Sequence, residues 1–230
     1  MIDLNKVKAV IFDLDDTLYS RYLAARATFP GMLRELLYEN RSEEFIDEAV
    51  RLMMANVAEN SMVHERVFEA LTSAYPTDKP YVRAKCLDYY YDHITDFAKP
   101  FSDTYRVLEG LRSRGIRLGI ITNTPTGREA SQRRKVEVLG IEKYFDAIIY
   151  STAVGLRKPD RRIYDMTAEL LGVPNESCLF VGDDPASDIR GAIGADMTAV
   201  FLDRFGYGDI FKDEPRVTRV LELSDYFDNI

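Results

Sequence analysis

Five short apolar runs recur along the chain, and each is rich in β-branched residues. They lie at residues 7–12, 118–122, 147–150, 178–181 and 198–202. Runs this short and this continuously apolar are typical of strands that are buried on both faces, as in a parallel sheet. Helical patterns separate the later runs; Ile163, Met166 and Leu170, for example, recur at intervals of three and four residues. This alternation predicts a doubly wound, Rossmann-like α/β fold with right-handed crossovers.

Residues 20–98 interrupt this alternation. No strand pattern occurs there, and apolar residues instead recur at helical spacing in three stretches. The stretches are marked by Phe45, Ala49, Leu52 and Met53, by Val63, Val67 and Leu71, and by Val82, Cys86, Tyr90 and Phe97. We therefore predict an α/β core formed by residues 1–19 and 99–230, with an all-helical unit inserted at 20–98. An insert at this point suits a lid that closes over a substrate, and the alternative is an oligomer interface.

The charge balance argues against nucleic acid as a partner. The chain has 30 basic and 38 acidic residues, a net charge of −8 and no block of lysines and arginines. No apolar segment approaches the roughly 20 residues that span a bilayer, and the first residues lack the apolar core of a signal peptide. Only two cysteines are present, too few for a disulfide framework. We expect a soluble cytoplasmic protein without a membrane partner, and the composition favours neither a monomer nor an oligomer.

Two carboxylates, Asp13 and Asp15, follow the first apolar run. A buried strand that ends in carboxylates two residues apart brings negative charges together where water is scarce. Such an arrangement favours a bound cation or a reaction. The alternative is that both aspartates only end the strand and cap a turn.

Further candidates follow the second run, because ligands of open α/β sheets bind beyond the carboxyl ends of the strands. This run ends in Thr122 and Asn123, and Pro125 and Gly127 come next, where a helix is expected to begin. A hydroxyl, an amide and the free N–H groups of a helix start form a cradle for a phosphate oxygen. The alternative is plain N-capping by Thr124.

The third and fourth runs are followed by one lysine and three aspartates. Lys158 lies in the loop after the third run, where its charge would neutralise both a carboxylate and a phosphoryl group. Asp183, Asp184 and Asp188 follow the fourth run. Asp184 precedes a proline and fits a helix cap. Asp183 would complete an oxygen-rich Mg²⁺ site with the carboxylates of the first run.

Together these segments resemble the haloacid dehalogenase-like hydrolase superfamily, and within it the phosphatase branch with a helical cap inserted after the first motif. The motifs that carry the resemblance are Asp13-Leu14-Asp15-Asp16-Thr17-Leu18, Thr122-Asn123, Lys158-Pro159-Asp160, Gly182-Asp183 and Asp188. Each motif is weak alone, but their order, their spacing and their position at strand ends are specific. The resemblance covers the whole core and the position of the cap.

The resemblance implies a reaction through an aspartyl-phosphate intermediate. Asp13 would be the nucleophile, and Asp15 would protonate the leaving group and then deprotonate water. Thr122, Lys158 and Asn123 would hold the phosphoryl oxygens.

The resemblance also implies a Mg²⁺ cofactor. Asp13, the backbone carbonyl of Asp15, and Asp183 would hold the ion. Asp188 would complete the site by orienting Lys158 or a metal-bound water, and Asp184 is the alternative for that role.

The function implied is a Mg²⁺-dependent phosphatase that acts on a small phosphate monoester. A phosphomutase or phosphotransferase on the same core stays open. A dehalogenase needs neither a metal nor an acid, and a non-catalytic binding or regulatory protein would not require a complete set of catalytic residues. Sugar phosphates, triose phosphates, phosphoglycolate and nucleotides all fit the core as substrates. Arg21, Tyr22 and Arg26 follow the first motif closely, and we expect them to face the substrate.

Overall fold

A six-stranded, all-parallel sheet forms the core of the protein, in a computed structural model that describes residues 6–57, 65–204 and 206–227. The strand order is β3-β2-β1-β4-β5-β6. The strands are β1 (Ala9–Phe12), β2 (Arg117–Thr122), β3 (Ala147–Tyr150), β4 (Cys178–Gly182), β5 (Thr198–Leu202) and β6 (Val217–Val220). The predicted doubly wound α/β fold is thus confirmed, and all five apolar runs form strands.

The central strand β1 is flanked by β2 on one side and by β4 on the other. The chain therefore builds the sheet outward in both directions from β1, and the strand order reverses there. In doubly wound folds, ligands bind at the carboxyl ends of the strands beside such a reversal. The ends of β1, β2 and β4 accordingly mark the place for a site.

The central strands are buried because they are apolar on both faces. All four residues of β1 and all five of β4 are buried. On one face Ile11, Phe180 and Phe201 pack with Ile163 and Leu171, which lie on a helix of the crossover between β3 and β4. The helices that belong with the sheet are, in chain order, α5 (Thr104–Ser113), α6 (Glu129–Val138), α7 (Ser151–Val154), α8 (Arg161–Leu171), α9 (Gly191–Gly194) and α10 (Leu223–Phe227), together with a π-helical turn at Pro185–Arg190.

Strand β6 was not predicted from the sequence. Its four residues, Val-Thr-Arg-Val, alternate apolar and polar positions, and none of them is fully buried. The strand pairs only with β5 among the described strands. An edge strand this short and this polar carries too little of the continuous apolar signal by which the other strands were recognised.

Residues Arg21–Lys99 form a second compact unit, and Met1–Ser20 with Pro100–Ile230 form the first. The helices of the second unit are α1 (Arg21–Leu36), α2 (Glu43–Val57), α3 (Glu65–Ala74) and α4 (Arg83–His93), followed by a short 3₁₀ helix at Ile94–Phe97. Ala49, Met53 and Leu71 from the predicted apolar patterns are buried in this unit, while Val63 lies outside the described residues. No described helix of the chain has the length and apolar character needed to cross a membrane.

The first unit holds together the two chain segments between which the second unit is inserted. The backbone N–H of Phe101 donates to the carbonyl of Leu18 at 3.2 Å, and the Thr104 hydroxyl donates to the same carbonyl at 2.8 Å. A bridge also pairs Tyr19 with Pro100. The two segments are therefore joined by hydrogen bonds within the α/β core itself.

Candidate active site

Four of the residues predicted from the sequence lie at the carboxyl ends of β1, β2 and β4. Asp13 follows β1 directly, and its backbone N–H donates to the carbonyl of Val181 on β4 at 2.9 Å. Asp183 follows β4, and Thr122 is the last residue of β2. Asp15 lies two residues beyond Asp13, in a turn where Asp16 has a left-handed backbone with φ of 59°. The parallel sheet thus presents these side chains at one edge.

Lys158 is the centre of a buried charge cluster. Its Nζ donates to Oδ1 of Asp13 at 2.6 Å and to Oδ1 of Asp188 at 2.7 Å. The side chains of Lys158 and Asp188 are each only 1% exposed. A buried ammonium requires such partners, because an unpaired charge in the interior costs several kcal/mol. The cluster fixes Lys158 beside the predicted nucleophile.

Asn123 positions the backbone of Lys158. The Asn123 Nδ2 donates to the carbonyl of Lys158 at 3.1 Å, and the N–H of Lys158 donates to Asn123 Oδ1 at 2.9 Å. Both ends of the amide are therefore engaged with one residue of the neighbouring loop. In this structure the Asn123 side chain orients Lys158, and its predicted contact with phosphate stays a prediction.

Burial dominates the ionisation of Asp13. It raises the pKa of this carboxyl from 3.8 to about 7, against the lowering effect of Lys158, and the neighbouring Asp188 and Asp15 raise it further. Burial alone would lower the pKa of Lys158, but Asp13 and Asp188 outweigh it and raise that pKa above its ordinary value. Lys158 is therefore a permanent cation, while the surroundings of Asp13 disfavour its negative charge.

The structure places Asp188, and not Asp184, against Lys158. Asp184 instead caps the π-helical turn, where its Oδ1 accepts from the N–H of Ala186 at 2.9 Å. Asp188 also accepts from the backbone N–H of Asp184 through Oδ2, at 3.0 Å. Gly182 makes room for this arrangement, because a Cβ at that position would lie 2.4 Å from Asp188 Oδ2.

Three of the aspartates offer a site for a hard cation. Oxygen atoms of Asp13, Asp183 and Asp188 lie within 4.8 Å of one another. Carboxylate oxygens are the donors that Mg²⁺ prefers, and Mg²⁺ commonly uses one or two of them together with waters and substrate phosphate. Asp183 is half-buried and accepts from the Thr17 hydroxyl at 3.4 Å. This donor set fits a hard divalent metal ion.

The Asp15 side chain belongs to a second polar cluster, which the sequence did not predict. Lys135 Nζ donates to Asp15 Oδ1 at 2.6 Å, and Gln132 Nε2 donates to Asp15 Oδ2 at 2.6 Å. The Tyr19 hydroxyl donates to Oδ1 as well. Lys135 and Gln132 lie on α6 (Glu129–Val138). We call these four residues, Tyr19, Asp15, Gln132 and Lys135, the Asp15 cluster.

A signal for this cluster does exist in the sequence. The buried residues of α6 and its end are Gln132, Lys135, Val136 and Leu139, which have the spacing of one helix face. Two of these four positions are polar, on the face that packs inside the protein. Polar side chains on a buried stripe require partners, and the search for those partners would have led to the first motif.

The expected helix start after β2 is wrong. Helix α6 begins at Glu129, four residues later than Pro125, and Thr124 caps no helix. The N–H of Thr124 donates to the hydroxyl of Ser151 at 2.9 Å, which removes it from a phosphate cradle. The Thr122 hydroxyl, in contrast, lies in the site and accepts from Gln132 Nε2 at 2.6 Å.

Arg21 and Tyr22 open α1 in the helical unit. Tyr22 and Arg26 line a cavity of about 480 Å³ within that unit, and Arg51 and Asp47 of α2 (Glu43–Val57) line its other side. The lining thus combines two arginines with one carboxylate. The predicted contact of Arg21 and Tyr22 with a substrate stays a prediction.

Comparison with known proteins identifies relatives over nearly the whole chain. Residues 7–196 match the family model of the haloacid dehalogenase-like hydrolases. A glyceraldehyde 3-phosphate phosphatase of Methanopyrus kandleri is 32% identical, over 91% of this chain and 88% of the relative. A phosphoglycolate phosphatase of Neisseria gonorrhoeae is 29% identical, over 99% of this chain and 94% of the relative. The solved structure of YfnB from Bacillus subtilis shares the fold, with a TM-score of 0.76 at 16% identity over 97% of this chain and 98% of that one.

Proposed function

We propose that this chain, which belongs to the haloacid dehalogenase-like hydrolases, hydrolyses a small-molecule phosphate monoester through an aspartyl-phosphate on Asp13, with Mg²⁺ as cofactor. Its relatives mark it as a phosphoric monoester hydrolase of that family. The observation that carries the proposal is the buried Asp13, Lys158 and Asp188 cluster. A nucleophile held against a permanent cation at a strand end is what in-line phosphoryl transfer requires.

In the first half of the reaction, Asp13 attacks phosphorus and the bond from phosphorus to the ester oxygen breaks. Asp15 donates its proton to the departing oxygen. Lys158 and the Thr122 hydroxyl stabilise the charge on the equatorial phosphoryl oxygens. Burial disfavours a negative charge on Asp13. It therefore raises the free energy of the resting carboxylate relative to the covalent intermediate, in which the carboxylate no longer carries that charge.

In the second half, Asp15 takes a proton from water, and the resulting hydroxide attacks the phosphorus of the aspartyl-phosphate. Inorganic phosphate leaves, Asp13 is regenerated, and Asp15 is again protonated for the next cycle. Asp13, Asp183 and the carbonyl of Asp15 would hold Mg²⁺, with Asp188 beside them; when bound, the ion supplies positive charge that offsets repulsion between carboxylate and phosphate.

The helical unit is proposed to select the substrate. The residues at the sheet edge would contact only the phosphoryl group, which every candidate substrate shares. Residues that recognise the leaving group must therefore come from elsewhere in the chain. Residues 20–98 begin directly after the first motif. The relatives that act on glyceraldehyde 3-phosphate and phosphoglycolate support small, polar three-carbon or two-carbon esters as the first substrates to test.

The test is release of phosphate from a panel of small esters in the presence of Mg²⁺. We expect turnover by the wild-type protein, no turnover by Asp13→Asn, and unchanged turnover by Asp165→Asn, which makes the same chemical change at a partly exposed residue of Arg161–Leu171. Acid quenching during turnover should trap a phosphoryl group on the peptide that contains Asp13. Steady turnover by pure Asp13→Asn would refute the covalent mechanism. Halide release in the absence of a metal would instead indicate that the protein is a dehalogenase.

A further inference from the structure

The two α6 residues of the Asp15 cluster are unusual because they are polar and buried. Gln132 is 2% exposed and Lys135 is 4% exposed. Burying an ammonium and an amide costs free energy that a buried ion pair often fails to recover, so such pairs are weak devices for stability. A leucine or methionine at either position would pack the helix at lower cost. The two residues therefore call for an explanation other than packing.

The hydrogen bonds of these two side chains form a closed ring with Asp15. Lys135 Nζ bonds Asp15 Oδ1 at 2.6 Å and Gln132 Oε1 at 2.9 Å. Gln132 Nε2 bonds Asp15 Oδ2 at 2.6 Å, so that each carboxylate oxygen is held from α6. The Tyr19 hydroxyl adds a bond to Oδ1. A carboxylate bound through both oxygens has a fixed position and a fixed plane.

Gln132 also connects the Asp15 carboxylate to the phosphoryl side of the site. Its Nε2 lies 2.6 Å from the Thr122 hydroxyl as well as 2.6 Å from Asp15 Oδ2. One amide thus sets the distance between Asp15 and a hydroxyl predicted to bind phosphate. Lys135 in turn holds that amide and pairs with the carboxylate form of Asp15, the form that takes a proton from water in the proposed reaction.

We propose that Lys135 and Gln132 are positioning residues that hold the Asp15 carboxylate in register with Thr122 for proton exchange with the leaving group and with water. The proposal rests on the function proposed above, in which Asp15 carries that proton. Neither residue needs to touch the phosphoryl group. Displacing a catalytic group by about 1 Å costs on the order of 10²-fold in rate, so loss of the ring should be visible in turnover.

The competing explanation is that the ring only fastens α6 to the turn after β1. The two explanations differ in the substrate dependence of the damage. Proton transfer from Asp15 matters for an alkyl phosphate, whose leaving alkoxide is strongly basic, and matters much less for p-nitrophenyl phosphate, whose leaving group departs without a proton. A loosened fold would impair both substrates alike.

The experiment compares Lys135→Met and Gln132→Met with the wild-type protein on an alkyl phosphate and on p-nitrophenyl phosphate. We expect kcat/KM for the alkyl ester, which covers the steps up to formation of the aspartyl-phosphate, to fall by about 10-fold or more in each variant. For the aryl ester, kcat/KM should stay within about threefold, because its leaving group departs without a proton. Lys143→Met, the same change at an exposed lysine, serves as the matched control and should behave as wild type. Equal losses in kcat/KM on both esters would overturn the proposal.

A double-substitution cycle sharpens the test, since residues that act through one another are not additive. In an Asp15→Asn background, Lys135→Met should cause no further loss on the alkyl ester. A full additional loss would show that Lys135 acts independently of Asp15, and would also overturn the proposal.

Failure of the proposed function can be distinguished from failure of the positioning role. If the wild-type protein hydrolyses neither ester, the proposed function fails at once. Crystal structures of the wild-type protein and Lys135→Met still test the positioning role, which requires the Asp15 carboxylate to move away from Thr122 in the variant. An unmoved carboxylate with full occupancy would refute it.

Discussion

Replacing the predicted nucleophile should stabilise the protein while it abolishes activity. In the metal-free protein, burial raises the pKa of Asp13 from 3.8 to about 7. A carboxyl that binds its proton more tightly in the folded state favours folding at low pH and opposes it once both states are ionised. Asp13→Asn removes the ionisation and keeps a side chain of nearly the same shape, whose amide oxygen still accepts from Lys158.

The direction and size of the effect follow from the two pKa values. Below about pH 4 the carboxyl is protonated in both states and contributes no penalty. As the pH rises toward 7 the unfolded chain loses the proton first, so the free energy of unfolding falls. Above 7 the whole penalty is present, and at 1.36 kcal/mol per pH unit the difference between 3.8 and about 7 amounts to about 4 kcal/mol.

The assay is urea denaturation of wild type and Asp13→Asn in EDTA, from pH 5 to pH 8. We expect Asp13→Asn to be the more stable protein at pH 8, by up to about 4 kcal/mol, with the advantage shrinking steadily toward pH 5. Asp165→Asn, at a partly exposed carboxylate, should show no such trend. A less stable Asp13→Asn at pH 8, or an advantage that does not change with pH, would refute the reasoning.

Three further outcomes are expected. Asp15→Asn should lose about 10² to 10⁴-fold in kcat/KM on alkyl phosphates and much less on p-nitrophenyl phosphate; parallel losses in kcat/KM would show that Asp15 is not the acid. EDTA should stop the reaction and Mg²⁺ should restore it better than Ca²⁺, because the larger ion tolerates looser coordination of Asp13; full turnover without any metal would contradict the metal requirement. Gly182→Ala should lower the free energy of unfolding by about 1–3 kcal/mol and reduce kcat, since its Cβ would meet Asp188 Oδ2 at 2.4 Å; unchanged denaturation and activity would contradict the close approach.

The sheet was predictable because its strands carry a strong local signal. Each of the strands β1 to β5 is a short apolar run, the pattern expected of strands in a covered parallel sheet. The exception, β6, shows the limit of that signal. Its pairing with β5 depends on the fold, which brings Val217 beside Ala199. A four-residue segment with a central Thr-Arg pair does not predict that pairing.

The site was predictable where the residues follow a strand, and it was missed where they lie on a helix. Asp13, Thr122 and Asp183 sit at strand ends, and the parallel sheet alone brings strand ends to one edge. Lys135 is separated from Asp15 by 120 positions along the chain. Only the folded chain brings them together, and the helix carries no recognised motif.

The details of the loops depended on backbone geometry that residue types do not specify. The segment Thr124-Pro125 has the composition of a helix start, yet the N–H of Thr124 is taken by Ser151 and the helix begins at Glu129. The first residue of another helix, Ser151–Val154, thus takes the backbone N–H that the expected phosphate cradle would have used. Local propensity is a weak guide wherever such tertiary partners are available.

The hydrogen bonds that join Leu18 to Phe101 and to Thr104 bear on how this chain is divided into exchangeable parts. They close the core across the point of insertion, and all six described strands lie outside residues 21–99. The entropy of closing a loop grows slowly with length, by about 0.6 kcal/mol for each doubling. A segment between fixed ends is therefore free to shorten, lengthen or be exchanged at small cost to the sheet. Replacement of residues 21–99 by a short turn should leave a foldable core, and grafting of another helical segment there offers a route to a new substrate preference without rebuilding the reaction centre.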